Sequence, residues 1–270
     1  MFVMNTLISG GLIVLFSSLL AAGVVLIIRQ FVTQRVLIQN HDFVNTTYPI
    51  VGLIYGVFLA FTIVITWGEF NRAETSTTNE VAHLSELWRD AEVFPQTLCE
   101  KIHNQLFNYA NQVVNYEWDI MAKYGKVSVE SEASYSLIWR LYYSYEPSTE
   151  RQKTFYTESI SQLNKLGSAR RHRVLFASAK VQPMVRLFLV VGGFFIVGFS
   201  FLLACPSMQI QIIITMLIAS LTAFSIFLVL ALQRPFSGDV NVKSTAFTNI
   251  IESFEKRRAD EFSCSSLKSL

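Results

Sequence analysis

Three long windows of this 270-residue chain carry no charged side chain: residues 1–28, 43–68 and 187–233, of 28, 26 and 47 residues. A helix at the surface of a water-soluble domain must turn one face to water, so its charge-free runs are short. Windows of this length require a bilayer. The composition agrees, with 51% hydrophobic and 16% charged residues. An integral membrane protein follows, and a soluble enzyme, a disulfide-rich secreted scaffold and a disordered chain are excluded.

The first window reads as a span from Met4 to Ile28. As a helix it is about 37 Å long, enough to cross a hydrocarbon layer about 30 Å thick with some tilt. It lacks a basic leader and exceeds a signal-peptide core, so it is expected to be retained. The second span runs from about Tyr48 to Trp67, with Pro49 in its first turn and Trp67 at the interface. The third window is too long for one helix. Cys205, Pro206 and Ser207 break it into spans at about 187–204 and 210–232.

Between the second and third spans, residues 68–184 hold 13 Lys+Arg and 14 Asp+Glu. Val81, Leu84, Leu87, Trp88 and Ala91 form one apolar helical stripe that stops at Pro95. A second run over 96–123 places Ile102, Leu106, Tyr109, Val113 and Tyr116 on one face, and Gly125 ends it. Further helices are expected near 132–145 and 148–180, which makes a four-helix bundle. The tail has a short helix near 243–259 and a Ser-rich end expected to be disordered. The fold class is therefore an all-α integral membrane protein with four transmembrane helices and a cytoplasmic helical bundle between helices 2 and 3. Its parts are 1–67 with the first two spans, the 68–184 bundle, the 185–233 hairpin and the 234–270 tail.

Orientation follows from basic residues near the span ends. Arg72, Arg170, Arg171, Arg173, Lys180, Arg186, Arg234 and Lys243 lie on one side, and only Arg29 and Arg35 on the other. The richer side is expected to be cytoplasmic, with the N-terminus, the bundle and the C-terminal tail on it. A net charge of +2 announces no nucleic-acid partner. Cys99, Cys205 and Cys264 have neither CxxC nor metal-ligand spacing and are read as unpaired thiols.

Several stretches resemble a largely bacterial membrane family, the bestrophin-like domain. The matching residues are Glu80, Ala82, Leu84, Leu87, Arg89, Ala91 and Pro95, then Tyr109-Ala110, Val113-Val114, Glu117-Trp118, Met121 and Gly125. Arg170, Arg171 and Arg173 follow, then Pro183 and the Arg234-Pro235-Phe236-x-Gly238 turn. The resemblance implies a remote relation to bestrophins, oligomeric ion channels with four membrane segments per subunit and cytoplasmic helices. It also implies a bacterial inner membrane. No acidic cluster resembling a bestrophin calcium clasp is present, so calcium gating is not carried over.

Candidate pore-lining residues are Tyr55, Thr62, Thr66 and Glu69 on span two, with Phe194 and Phe195 on span three as a hydrophobic constriction. The competing use of those threonines is a bond to the preceding helical turn. Gly52, Gly56 and Ala60 form a small-residue stripe suited to helix packing. Structural roles are expected for the motif residues Glu80, Tyr109, Glu117, Trp118, Arg171, Arg173, Arg234, Pro235, Phe236 and Gly238, with Phe236 as an interfacial anchor. Arg170, Arg171 and Arg173 could meet anionic lipid. Glu80-x-x-His83 and Glu100-x-x-His103 have di-iron spacing, but the further carboxylates are not evident, so no metal and no cofactor is assigned. No nucleophile–base pair or phosphate loop appears, so no enzyme is expected. With no ionisable residue in the middle of any span, coupled transport is disfavoured. The expected function is an oligomeric passive ion channel. The alternative is a non-conducting membrane-anchored scaffold or sensor whose bundle binds a partner.

Overall fold

The computed structural model describes residues 6–32, 34–178, 182–205, 207–238 and 240–259. Among them the chain is helical, with no strand. The helices are α1 (Thr6–Phe31), α2 (Gln34–Gln39), α3 (His41–Ala91), α4 (Gln96–Gln112), α5 (Trp118–Tyr124), α6 (Val129–Tyr143), α7 (Glu150–Ser178), α8 (Pro183–Ser200), α9 (Met208–Leu232) and α10 (Thr245–Ala259). A π-helical turn, Val113–Glu117, joins α4 to α5. Four helices, α1, α3, α8 and α9, are long and apolar enough to cross a membrane. Met4, Lys180, Pro206, Cys264 and the Ser-rich end lie outside the described residues.

The chain divides into two compact units. The first takes Met1–Gly68, Lys180–Arg234 and Gly238–Val240, and the second takes Glu69–Ala179, Pro235–Ser237 and Asn241–Leu270.

One difference from expectation concerns α3, which is a single helix of 51 residues rather than a span followed by a separate bundle helix. Pro49 therefore lies inside it, not in its first turn. The polar Thr75-Ser76-Thr77-Thr78 run does not interrupt it. Each hydroxyl donates to the carbonyl four residues back: Thr75 to Asn71 at 2.9 Å, Ser76 to Arg72 at 2.8 Å, Thr77 to Ala73 at 3.0 Å and Thr78 to Glu74 at 3.1 Å. Gly68 alone costs a helix only about 1 kcal/mol.

In the first unit, α9 packs against α1 and α8. Pro183 starts α8 at its first turn, where a missing N–H is harmless. Tyr55 is the link from α3 to α8: its hydroxyl donates to the Leu189 carbonyl at 3.0 Å, and its ring occupies the space a Cβ at Gly192 would need. Beside it, Phe58 meets Phe188 at 4.2 Å. Arg29, at the end of α1, donates through Nε to Gln211 at 2.7 Å and through Nη2 to the Cys205 carbonyl at 2.9 Å. An otherwise costly charge is thereby satisfied beside the turn between α8 and α9. Most large apolar side chains of the spans remain exposed, Leu53, Phe61, Val64, Phe194 and Phe195 among them, as a lipid or subunit contact requires.

In the second unit, Leu84, Leu87 and Trp88 of α3 pack with Ile102 and Leu106 of α4, Ile138 of α6, Leu163 and Leu166 of α7, and Phe247 and Phe254 of α10. Pro95 separates α3 from α4, and Gly125, at φ +63°, ends α5 in the left-handed conformation. Ser128 caps α6 by accepting the Ser131 N–H at 3.0 Å. The cysteine expectation is corrected here: Cys205 is free, but Cys99 is disulfide-bonded.

Candidate functional site

The motif residues converge on a buried charge network in the second unit. Arg173 of α7 is fully buried. Its guanidinium donates to Glu80 of α3 twice, Nε to Oε2 at 2.6 Å and Nη2 to Oε1 at 3.0 Å. The same Nη2 reaches Oε1 of Glu117 at 2.6 Å. Tyr109 of α4 donates its hydroxyl to Glu80, and Ser131 of α6 donates its own to Glu117. Arg170, one turn before Arg173, donates to Glu117 at 3.3 Å and to Glu132 of α6 at 2.6 Å. Aromatic rings close the site: Arg173 lies 5.7 Å from the Trp118 ring centre and 5.6 Å from that of Phe247.

The π-turn explains why Glu117 belongs to this network. At about 100° per residue, an unbroken α-helix would set Tyr116 nearly in line with Tyr109 and Glu117 about 80° away. The wider turn delays the phase, so Glu117 comes into line and Tyr116 swings out. Glu117 is accordingly buried and Tyr116 is 52% exposed. This reverses the expected stripe, which had placed Tyr116 inward.

Electrostatically, each cation sits among carboxylates. Burial works to lower the affinity of Arg173 for its proton, but Glu80 and Glu117 outweigh it and the net shift is strongly upward. For Arg170 burial again opposes, and the Glu117 and Glu132 carboxylates outweigh it, so its net shift is also upward. Burial first, then the Glu80 charge, push the Tyr109 hydroxyl well above its ordinary value, so it stays a donor. With every carboxylate committed to a guanidinium or hydroxyl, the arrangement fastens helices together and offers no free acid or base.

The structure brings Glu80, Tyr109, Glu117, Trp118, Arg173 and Phe236 together. Phe236 corrects an expectation: it is buried against Trp118, edge to face at 5.4 Å, and is not an interfacial anchor. The Pro235 carbonyl accepts the Val242 N–H at 2.6 Å, and Gly238 holds φ +81° as the turn requires. Arg171 and Arg234 are exposed and lie outside the network. Arg170 and Arg173 cannot serve anionic lipid, because both are buried in ion pairs. Arg170, Ser131 and Glu132 were not anticipated as members. The three-residue spacing of Arg170 and Arg173 on α7 was the available signal, since it puts them on one face and Arg171 on another.

The pore candidates are placed differently. Tyr55, Thr62 and Thr66 are 6%, 7% and 1% exposed, so they do not line an open surface of the chain. Thr62 donates to the Phe58 carbonyl at 2.8 Å and Thr66 to that of Thr62 at 2.7 Å, the back-bonding that competes with a pore role. Glu69 is half-exposed, while Phe194 and Phe195 are exposed. Gly52, Gly56 and Ala60 do not mediate close helix packing within the chain: a Cβ at either glycine would meet nothing within 4 Å, and Ala60 is exposed. Close approach occurs instead at Gly192 and Gly193. The two Glu-x-x-His pairs do not converge. Glu80 belongs to Arg173, His83 bonds Gln162 at 2.9 Å, and His103 stacks on Trp88 at 3.8 Å. Among the described residues, no group of three metal-ligating side chains forms.

A family model described as the bestrophin-like domain matches residues 15–247. Crystal structures of a bacterial bestrophin homologue from Klebsiella pneumoniae share the fold. One matches with a TM-score of 0.69 at 12% identity, covering 91% of this chain and 98% of that one. Another has a TM-score of 0.68 at 14% identity, covering 89% and 98%. A third crystal structure, described as a membrane protein, has a TM-score of 0.68 at 14% identity over 89% and 96%. No match is found among curated proteins.

Proposed function

This chain belongs to the bestrophin-like domain family, and on that premise we propose that it is the subunit of an oligomeric passive ion channel. The observation that carries the reading is the coincidence of four membrane-length helices with the fold of a bacterial bestrophin homologue over about nine-tenths of both chains. Two features support it. No ionisable side chain sits in the middle of a span, which disfavours proton-coupled transport. The spans also keep large apolar faces exposed, surface that further subunits and lipid can cover.

Residues 1–67 and 185–233 cross the bacterial inner membrane in this reading, and 68–184 and 234–270 lie in the cytoplasm. The excess of basic residues next to that side supports the orientation. The exposed Phe194 and Phe195 are the proposed constriction, and half-exposed Glu69 supplies negative charge that would attract cations.

The test is planar-bilayer recording of purified protein under a salt gradient. Currents are expected, and their reversal potential reports the sign of the permeant ion. A silent protein that purifies as a dimer overturns the channel reading in favour of the scaffold.

A further inference from the structure

Far from the arginine network, α3 ends on a second polar cluster that the channel reading does not use. Asp90, the penultimate residue of α3, is 7% exposed. Among the described residues its carboxylate has one hydrogen bond, a long one, accepted by Oδ2 from the Ser159 hydroxyl of α7 at 3.4 Å. The hydroxyl of Tyr142 on α6, fully buried, makes no hydrogen bond of good geometry among the described residues and faces the same two side chains, Ser159 foremost. The charged groups around Asp90 are Glu86 and Arg89 on α3 and Glu158 on α7, and Arg89 lies 3.7 Å from Glu86. Near this end of α3, Glu92 feels Arg257 of α10, and His103 of α4 feels Arg258 and Arg257 while bonded to the Trp88 backbone. Arg89 acts on Asp90 through space, but among the described residues no cation makes an ion-pair contact with it.

We propose that the Asp90–Ser159–Tyr142 cluster is a proton-binding seam that holds α7 to the end of α3 more firmly when Asp90 is protonated. An ionised carboxylate here is buried, lies at the negative end of the α3 dipole and faces two other acids. Protonation removes all three penalties and gives Asp90 an O–H to donate. Burial first, then the Glu158 charge and that of Glu86, raise its pKa to about 6, against the opposing effects of the Ser159 hydrogen bond and the Arg89 charge. The sign follows. Between the ordinary carboxylate pKa and about 6 the folded bundle binds the extra proton, so the seam strengthens as pH falls through that window and weakens as pH rises. Cytoplasmic acidification becomes an input to the bundle whether or not the protein conducts.

The test uses full-length protein in detergent, with thermal midpoints and hydrogen exchange of the α7 segment around Ser159 measured from pH 7.5 to 4.5. Asp90→Asn fixes a neutral side chain in place. It should exceed the wild type in stability at pH 7.5, with the gap closing below pH about 6 over a range of roughly 100-fold in the unfolding constant. Wild type and Asp90→Asn changing in parallel with pH overturns the proposal. Should Asp90→Asn not fold, Glu158→Gln decides, because Glu158 is exposed and a glutamine Oε1 can still accept the Gln162 amide, now at 2.6 Å, while the charge is removed. It should move the wild-type transition to lower pH, and an unmoved transition overturns the seam. Because the readout is packing and not current, a silent channel leaves the result interpretable.

Discussion

Arg173 holds Glu80 by a two-pronged contact, Nε to Oε2 at 2.6 Å and Nη2 to Oε1 at 3.0 Å, with neither side chain exposed. Its third contact, to Glu117, makes one guanidinium bridge α3 and the π-turn. Only a planar fork can do this, since an ammonium has neither the reach nor the geometry. Arg173→Lys should therefore leave a buried carboxylate underpaired and cost about 3–5 kcal/mol, read as a lower thermal midpoint in detergent. Arg171→Ala, at an exposed position on the same helix, should stay within about 0.5 kcal/mol. Equal losses in the two variants would remove the network from its structural role.

The π-turn makes a prediction about chain length. Deleting exposed Asn115 shortens the interval from Tyr109 to Glu117 to seven residues, which in a regular α-helix is again nearly in phase. Four α-residues also rise about as far as the five-residue wide turn, so the flanking helices keep their places. The deletion should be tolerated to within about 1 kcal/mol, far less than the roughly 3–5 kcal/mol for a broken buried pair. Deleting exposed Asn108 in α4 instead rotates Tyr109 out of line and should prevent stable folding. Comparable loss of folded yield for both deletions would show that the turn is not a one-residue insertion.

Most of the helices could be read from the sequence because their signals are local. The Val81–Ala91 stripe, the Pro95 break and the Gly125 stop each act within a turn of where they are read. What escaped was not local. The continuity of α3 depended on four hydroxyls choosing their own helix over a loop, and no spacing records that choice. The inward turn of Glu117 depended on two arginines more than fifty positions away. For the pore candidates, the hydroxyl pattern of span two was visible but its direction was not. Tyr55 was drawn inward by a carbonyl of α8, and the threonines followed on the same face.

Glycine positions separate packing inside the chain from surface left open. A Cβ at Gly192 would lie 2.6 Å from the Tyr55 ring, so Gly192→Ala should destabilise by about 1–3 kcal/mol through overpacking. Gly56→Ala meets nothing within 4 Å and gains helix propensity, so its subunit should be no less stable. Thermal midpoints of the two purified variants check this. A Gly56→Ala loss as large as that of Gly192→Ala would place a subunit contact on the small-residue stripe.

His103 gives the bundle a second pH dependence, opposite in sign to that of Asp90. Its ring is stacked on Trp88 at 3.8 Å, and its Nε2 lies 2.8 Å from the Trp88 carbonyl. Burial lowers its pKa to about 4, with Arg258 and Arg257 adding to the effect and the Trp88 hydrogen bond opposing it. Above its ordinary pKa of about 6.5 the ring is neutral in both states and the full stability is present. As pH falls toward about 4, the unfolded chain takes a proton that the folded bundle refuses, and up to about 3 kcal/mol is lost. His103→Phe keeps a ring against Trp88 but cannot titrate. It should be less stable than wild type at neutral pH, for want of the hydrogen bond, and should lose the acid-side destabilisation, so that its stability rises as pH falls from 6.5 to 4. Asp90 strengthens the fold across much of that window and His103 weakens it, so wild-type stability should vary less with pH than that of either single variant. A His103→Phe profile parallel to the wild type would mean that the ring is not the acid-sensitive group.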